Sequence, residues 1–294
     1  MLRTLTEKTM YQTQLPPNSN FIDYSVISEF RAASAYHNFS IKYVVAGSEM
    51  YYANGNKYYV GSKEYLIANK HCEGYVEIES RQPATGICIE ISHDLLSEVV
   101  AGYLRPDTPI LDLDLDRFFN TNSFLENKYA AGKTNVGKFL LDLDSLIASR
   151  SNKNIQFNTD FYFFLAEEII KDHIPLFKHL QQIKAIKNDT KKDLVRKLLL
   201  GKNYIESSFS SSTNIAEVAK QSGLSEYHFF RLFKEVFEVS PHQFLIQQRL
   251  LHAKKMLEAG NNSISSLALE TGFADVHSFS KSFKKHFGFS PSKL

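Results

Sequence analysis

Between Ile215 and Pro291 the chain carries one short pattern twice. Ile215, Ala219, Gly223 and His228 recur as Ile264, Ala268, Gly272 and His277. Further on, Phe229, Phe233, Lys234, Phe237, Ser240 and Pro241 recur as Phe279, Phe283, Lys284, Phe287, Ser290 and Pro291, at an offset of 49 to 50 residues. A repeat that preserves spacing means one supersecondary unit built twice. In the first copy Asn214, with Glu217 three residues on, opens a helix, Ala219 keeps a contact surface small, and Gly223 supplies the left-handed turn that ends it. Ser225 then caps a second helix over Glu226 to Phe237, whose buried face is Phe229, Leu232, Phe233 and Val236. The second copy reads the same way: a helix over Ile264 to Glu270, a turn at Gly272, a cap at Asp275 and a helix over Val276 to Phe287. Between them, Ser240-Pro241-His242-Gln243 starts a helix that reaches about Glu258 and spans roughly 27 Å at about 1.5 Å per residue.

Helix, tight turn and helix, twice over, match the helix-turn-helix, in which the first helix braces on the backbone and the start of the second meets base edges. Residues 190 to 294 resemble the C-terminal domain of the AraC/XylS family of bacterial regulators. The second unit of that family typically reads Gly-Phe, an acid, an aromatic-Ser-Arg spacing, Phe-Lys-Lys, then Gly and Ser-Pro. Here the pattern stands as Gly272-Phe273, Asp275, Phe279-Ser280-Lys281, Phe283-Lys284-Lys285, Gly288 and Ser290-Pro291, and Arg249 and Ala253 match in the connecting helix. Two positions depart: Glu238 stands where glycine is usual, and Lys281 replaces a frequent arginine, a point charge in place of a planar fork.

The resemblance implies double-stranded DNA with tandem half-sites about one helical turn apart, RNA polymerase as a further partner, a homodimer, and a cupin-like effector domain ahead of the DNA-binding domain. Helical phase turns Glu226, Tyr227, Phe230 and Arg231 outward on the first reading helix, and Val276, His277, Ser280 and Lys281 on the second. Arg231 is the strongest candidate for guanine, while Phe230 and Val276 suit thymine methyls; membership of the core is the alternative for Phe230. Ser225, Lys234, Lys284 and Lys285 are expected at phosphates, which add affinity and salt dependence without sequence information.

Charge agrees with that division. The whole chain carries a net +2, but residues 1 to 189 hold 19 Lys+Arg against 23 Asp+Glu and residues 190 to 294 hold 15 against 9. From Ser40 to Ile91 the sequence breaks into Tyr-, Val- and Ile-rich segments, Ile41 to Val45, Glu49 to Ala53, Lys57 to Val60, Glu64 to Ala68, Tyr75 to Glu79 and Gly86 to Ile91. Asn54-Gly55 is a hairpin signal. Helical periodicity follows over Leu95 to Leu104, Val136 to Ala148 and Asp160 to Ile186, the last interrupted by Pro175, where a kink or break is expected. The fold class predicted is α+β: an N-terminal antiparallel β barrel or jelly roll, cupin-like, with flanking helices, and an all-α C-terminal domain of two helix-turn-helix units joined by a linker helix.

The boundaries read as a flexible arm over 1–20, an effector-binding and dimerisation domain over 21–186, a linker over 187–192 and a DNA-binding domain over 193–294. Tyr43, Tyr51, Tyr59 and Tyr75 are the candidates for lining an aromatic pocket for a small organic effector, although strand tyrosines serve as packing residues as readily. A regulator controlled only by its abundance is the alternative. A cupin-type metal enzyme is the rival class, yet His37, His71, His93, Glu77 and Glu79 include no His-x-His pair, and a sensory metal at His71 and Cys72 is the weaker variant. No phosphate loop or nucleophile elbow is present, so neither cofactor nor enzymatic activity is expected. No apolar run reaches the ~20 residues of a membrane span, and two cysteines make no disulfide framework, so a soluble cytoplasmic protein, bound to the nucleoid when on DNA, is expected.

Overall fold

The computed structural model describes residues 2–10, 18–33, 36, 38–103, 112–149, 155–184, 187–207, 213–258 and 263–294. They divide into two units, Met1–Phe177 and Lys178–Leu294.

In the first unit the strands are β1 (Leu2–Leu5), β2 (Phe21–Ala33), β3 (Phe39–Ala46), β4 (Ser48–Ala53), β5 (Asn56–Gly61), β6 (Glu64–Ala68), β7 (Gly74–Ile91) and β8 (Asn127–Ala130). The helices are α1 (Glu7–Met10), α2 (His93–Tyr103), α3 (Asp112–Asn120), α4 (Asn135–Ser149) and α5 (Thr159–Gln182), the last crossing the unit boundary. The sheet runs β1-β2-β7-β3-β6-β8, with β4 joining β7 to β5. The long strand β7 folds it over. Its first half pairs with β4 through Tyr52↔Tyr75 and its second half with β3 through Ile41↔Ile89, while β2 follows both halves across a register shift between Ile27 and Glu29. The result is a nearly closed, mostly antiparallel barrel whose interior collects Ile27, Phe30, Val44, Tyr51, Val60, Leu66, Val76 and Ile78. The Asn54-Gly55 hairpin forms as its sequence demands, both residues having positive φ (47° and 79°) between β4 and β5.

Two boundaries differ from expectation. The start of the supposed arm is an edge strand, β1, parallel to β2, because Arg3 forms a bidentate pair with Asp23 at 2.6 and 2.8 Å and Leu5 is buried. The supposed linker over 187–192 is largely the first turn of a helix, Asn188–Ser207, recruited by the buried Val195 and Leu198 on its inner face. Pro16-Pro17 and His37 lie outside the described residues. Helix α5 continues through Pro175 without a break.

Three of the four tyrosines proposed to line a pocket do not face the interior, because strand side chains alternate and these three have the wrong phase. Tyr59 is 58% exposed. Tyr75 stacks on Tyr52 outside the barrel, its neighbours Val76 and Ile78 being the inward residues. Tyr43 is buried against the helical layer, where burial and the nearby Asp144 carboxylate push its hydroxyl up to about 12. Tyr51 alone points inward. Under the helical layer lies a second aromatic core: Phe119, Phe124 and Tyr129 surround His173, and Phe39 packs edge-on against Phe119 and Phe124. Burial lowers the His173 imidazole to about 4, so it is neutral and donates from Nδ1 to the Ile169 carbonyl at 2.7 Å.

The second unit is helical: α6 (Asn188–Ser207), α7 (Ile215–Gln221), α8 (Glu226–Phe237), α9 (Pro241–Glu258), α10 (Ile264–Glu270), α11 (Val276–Phe287) and a final 3-10 turn, Pro291–Lys293. Phe229, Phe233, Val218 and Ala219 are buried in the first repeat. Leu250 and Ala253 of α9 pack with Ala268, Phe279 and Phe283 in the second.

Candidate nucleic-acid interface

Each reading helix is started by the residue the sequence assigned to it. The Ser225 hydroxyl accepts from the His228 amide at 3.3 Å, and the Asp275 carboxylate accepts from the Ser278 amide at 2.7 Å and from its hydroxyl at 2.9 Å. Those bonds hold the Asp275 carboxyl below the usual carboxylate range. The bracing helices α7 and α10 are capped in the same way by Asn214 and Ser263. The turns between bracing and reading helices have Gly223 at φ 67° and Gly272 at φ 79°, where an L side chain would be strained. Helix α9 opens on a reciprocal pair: the Gln243 amide donates to the Ser240 hydroxyl at 3.2 Å, and the Ser240 amide to the Gln243 side chain at 3.0 Å. Arg249 of α9 then donates to the Gly272 carbonyl at 3.0 Å, tying the connecting helix to the second turn.

Close packing sets where α8 lies. A Cβ on Gly201 of α6 would come within 2.4 Å of the Phe229 ring, so the backbone of α6 reaches the reading helix only because that residue is glycine. Helix α8 ends at Glu238, which is left-handed with φ 62°, where α11 ends at Gly288 with φ 83°. The departure from the family's glycine therefore falls on a strained backbone and costs about 1 kcal/mol.

All the residues assigned to DNA lie on the outer faces of these helices. Tyr227 is 80% exposed, Phe230 39% and Val276 38%, which separates Phe230 from the buried row of Phe229, Leu232 and Phe233. Glu226, Arg231, His277 and Lys281 are exposed, Ser280 is half-buried, and Ser225, Lys234, Lys284 and Lys285 are exposed. One contact was not anticipated: Arg231 Nη1 lies 3.4 Å from the Glu235 carboxylate one turn on. Their four-residue spacing is a signal readable in the sequence.

A second cluster, inside the barrel, escaped sequence reasoning. Lys42 of β3 donates to Glu90 at 2.9 Å and to the Cys88 sulfur at 2.9 Å, and Ser40 donates to the same Glu90 oxygen at 2.6 Å. The other Glu90 oxygen accepts from the Asn38 amide at 3.2 Å. Burial alone would lower the Lys42 ammonium, but Cys88 and Glu90 beside it hold it above its ordinary value, and burial pushes the Cys88 thiol up. On the facing strand Tyr51 donates to the buried Glu49, whose carboxyl burial raises. The two members of the weaker sensory-metal alternative are placed apart in environment: Cys72 is buried in the barrel core, whereas His71 is exposed. Among the described residues no three His, Cys, Asp or Glu side chains are grouped to hold a metal ion. Nor is any described helix long and apolar enough to cross a membrane.

Two helix-turn-helix units on a common connecting helix, the second with three exposed lysines on its outer face, define a DNA-binding domain. Residues 218–294 match the family model described as a helix-turn-helix domain. The chain is similar to the probable transcriptional regulator LumQ of Photobacterium leiognathi, 31% identical over 105 residues, 36% of this chain and 42% of that one. It is also similar to the raffinose operon transcriptional regulatory protein RafR of Pediococcus pentosaceus, 36% identical over 93 residues, covering 32% and 34% of the two chains. The match thus spans well under half the length of these relatives. Among solved structures, the chain is similar to a probable AraC family transcriptional regulator from Rhodopseudomonas palustris, 26% identical, covering 33% of this chain and 92% of that one, at a TM-score of 0.32. The C-terminal unit is a double helix-turn-helix domain of the AraC/XylS type.

Proposed function

We propose that the protein is a sequence-specific transcription regulator that places α8 and α11 in successive major grooves and responds to a small organic effector held in its N-terminal unit. The observation that carries this reading is the repeated geometry: two capped reading helices, each with its apolar side buried and its polar side bare, on one connecting helix. Eighteen residues of α9 span roughly 27 Å, a stiff spacer suited to half-sites about one helical turn apart. The barrel supports an effector role through its inner face, where Lys42, Glu90, Glu49 and Tyr51 offer polar groups amid apolar walls. Of the four tyrosines, Tyr51 alone faces the barrel interior and stays a candidate for effector contact.

The further roles belong to the same proposal: a non-enzymatic regulator acting on the bacterial nucleoid as a homodimer, with RNA polymerase as its partner. A cluster of Phe139, Phe157, Phe161 and Phe164, linked by ring contacts of 4.4 to 5.7 Å, with Phe164 half exposed and the other three partly buried, supports self-association, since apolar clusters that reach the surface mark contact surfaces.

The test is a pair of variants on duplexes varied one base pair at a time. Arg231→Ala relaxes preference at one position, costing about 1–3 kcal/mol against the favoured base pair. Lys284→Ala weakens binding to every duplex alike and makes the salt slope about 0.9 shallower. Uniform weakening in both variants overturns the assignment of roles.

A further inference from the structure

The internal repeat sets the two reading helices in register, so their exposed positions can be compared one by one. Tyr227 corresponds to His277, Arg231 to Lys281, Lys234 to Lys284, and Glu235 to Lys285. Between Glu226 and Glu238 the first helix has three carboxylates against Arg231 and Lys234, whereas from Val276 to Gly288 the second has Lys281, Lys284 and Lys285 and no carboxylate at all.

The geometry sharpens the contrast. Arg231, the best-placed cation of the first helix, already faces Glu235 at 3.4 Å, so part of its field is cancelled before DNA arrives. At the corresponding place in the second helix Lys281 is followed one turn later by Lys285, and all three lysines there are exposed. What the first helix offers instead is aromatic: Tyr227, 80% exposed in its first turn, with Phe230 on the next. A polyanion attracts the second surface and gains little from the first.

We infer that the two heads divide the work unequally: the second supplies most of the phosphate grip, and with it the affinity and its salt dependence, while the first is the more selective of the two, with Tyr227 as its main specificity-determining residue against thymine-containing base edges. This rests on the regulator reading above and assigns each half of it to a surface. Thymine is the base that offers a methyl group in the major groove, and an aromatic edge reads it by contact without charge.

The experiment titrates full-length protein with one operator duplex and one scrambled duplex at several salt concentrations. Lys281→Gln/Lys284→Gln/Lys285→Gln is expected to make the slope of log K against log salt shallower by about 2 to 3, at about 0.9 for each phosphate no longer neutralised. Arg231→Gln/Lys234→Gln is expected to change it by less than about 1. Tyr227→Ala should leave binding to the scrambled duplex within about twofold of wild type. On the operator it should abolish the penalty for replacing thymine by uracil, which removes only the methyl group. Equal slope changes in the two charge variants, or a uracil penalty that survives Tyr227→Ala, overturns the division of labour while leaving the regulator reading intact. Failure of the wild type to prefer the operator over the scrambled duplex overturns that reading and this inference with it.

Discussion

Phe283→Ala is expected to unfold the second reading head and abolish selective DNA binding, although the residue touches no base. Its side chain is fully buried, with ring neighbours Phe287 at 4.6 Å, Phe279 at 5.6 Å and Phe289 at 5.9 Å. The core around it is small, since Leu250, Ala253 and Ala268 complete its buried set. Truncating a buried phenylalanine costs about 3–5 kcal/mol, and a small core has few other side chains to close the void. Against a total stability of about 5–15 kcal/mol, that deficit leaves the head marginal. Urea denaturation followed by circular dichroism measures it directly. Lys281→Ala, on the same helix but exposed, is expected within about 0.5 kcal/mol of the wild type, which separates folding from binding. A destabilisation below about 1 kcal/mol in Phe283→Ala would show that the second core is held elsewhere.

Lys42→Ala is the second large effect expected, and it concerns the barrel. The variant leaves Glu90 fully buried with its cation removed, and breaking a buried pair from one side costs about 3–5 kcal/mol. The double variant Lys42→Met/Glu90→Leu removes both charges and should recover to within about 1 kcal/mol of wild type or better, because two desolvation penalties vanish with the attraction. Thermal melts of the three proteins decide the matter. A mild single variant would mean that Asn38, Ser40 and Cys88 hold the Glu90 carboxylate without its cation. The double variant, if folded, also separates the network's structural role from its proposed role in effector response.

How much of this was legible in the sequence depends on what each residue's signal was about. The C-terminal unit was readable almost residue by residue because its signals are local: Ser225, Asp275 and Ser240 act within a few residues of themselves, and Gly223 and Gly272 encode their own backbone conformation. The barrel was readable only where one face is apolar and the other wet. In β3 that pattern is inverted: Ile41 and Tyr43 lie under the helical layer while Ser40 and Lys42 face the barrel interior, so alternation exists but its sense points the wrong way. The same inversion hid β2, whose inward Asp23 and Ser25 are polar and whose phase shifts beyond Ile27. Helix α3 went unseen because Asp112-Leu113-Asp114-Leu115 alternates as a strand would. Segments Tyr75 to Glu79 and Gly86 to Ile91 read as two strands but are one, a continuity fixed by pairing with β2 along both halves. The Lys42–Glu90 pair joins strands 48 residues apart, and no local pattern announces it.

The central claim, that two reading heads on one chain recognise tandem sites, is tested most directly by selecting random duplex DNA on the purified full-length protein at near-physiological salt. The account predicts enrichment of a motif with two half-sites about one helical turn apart, one of them thymine-containing. Recovery of unselective, salt-sensitive binding alone, or of a single isolated half-site, would contradict it.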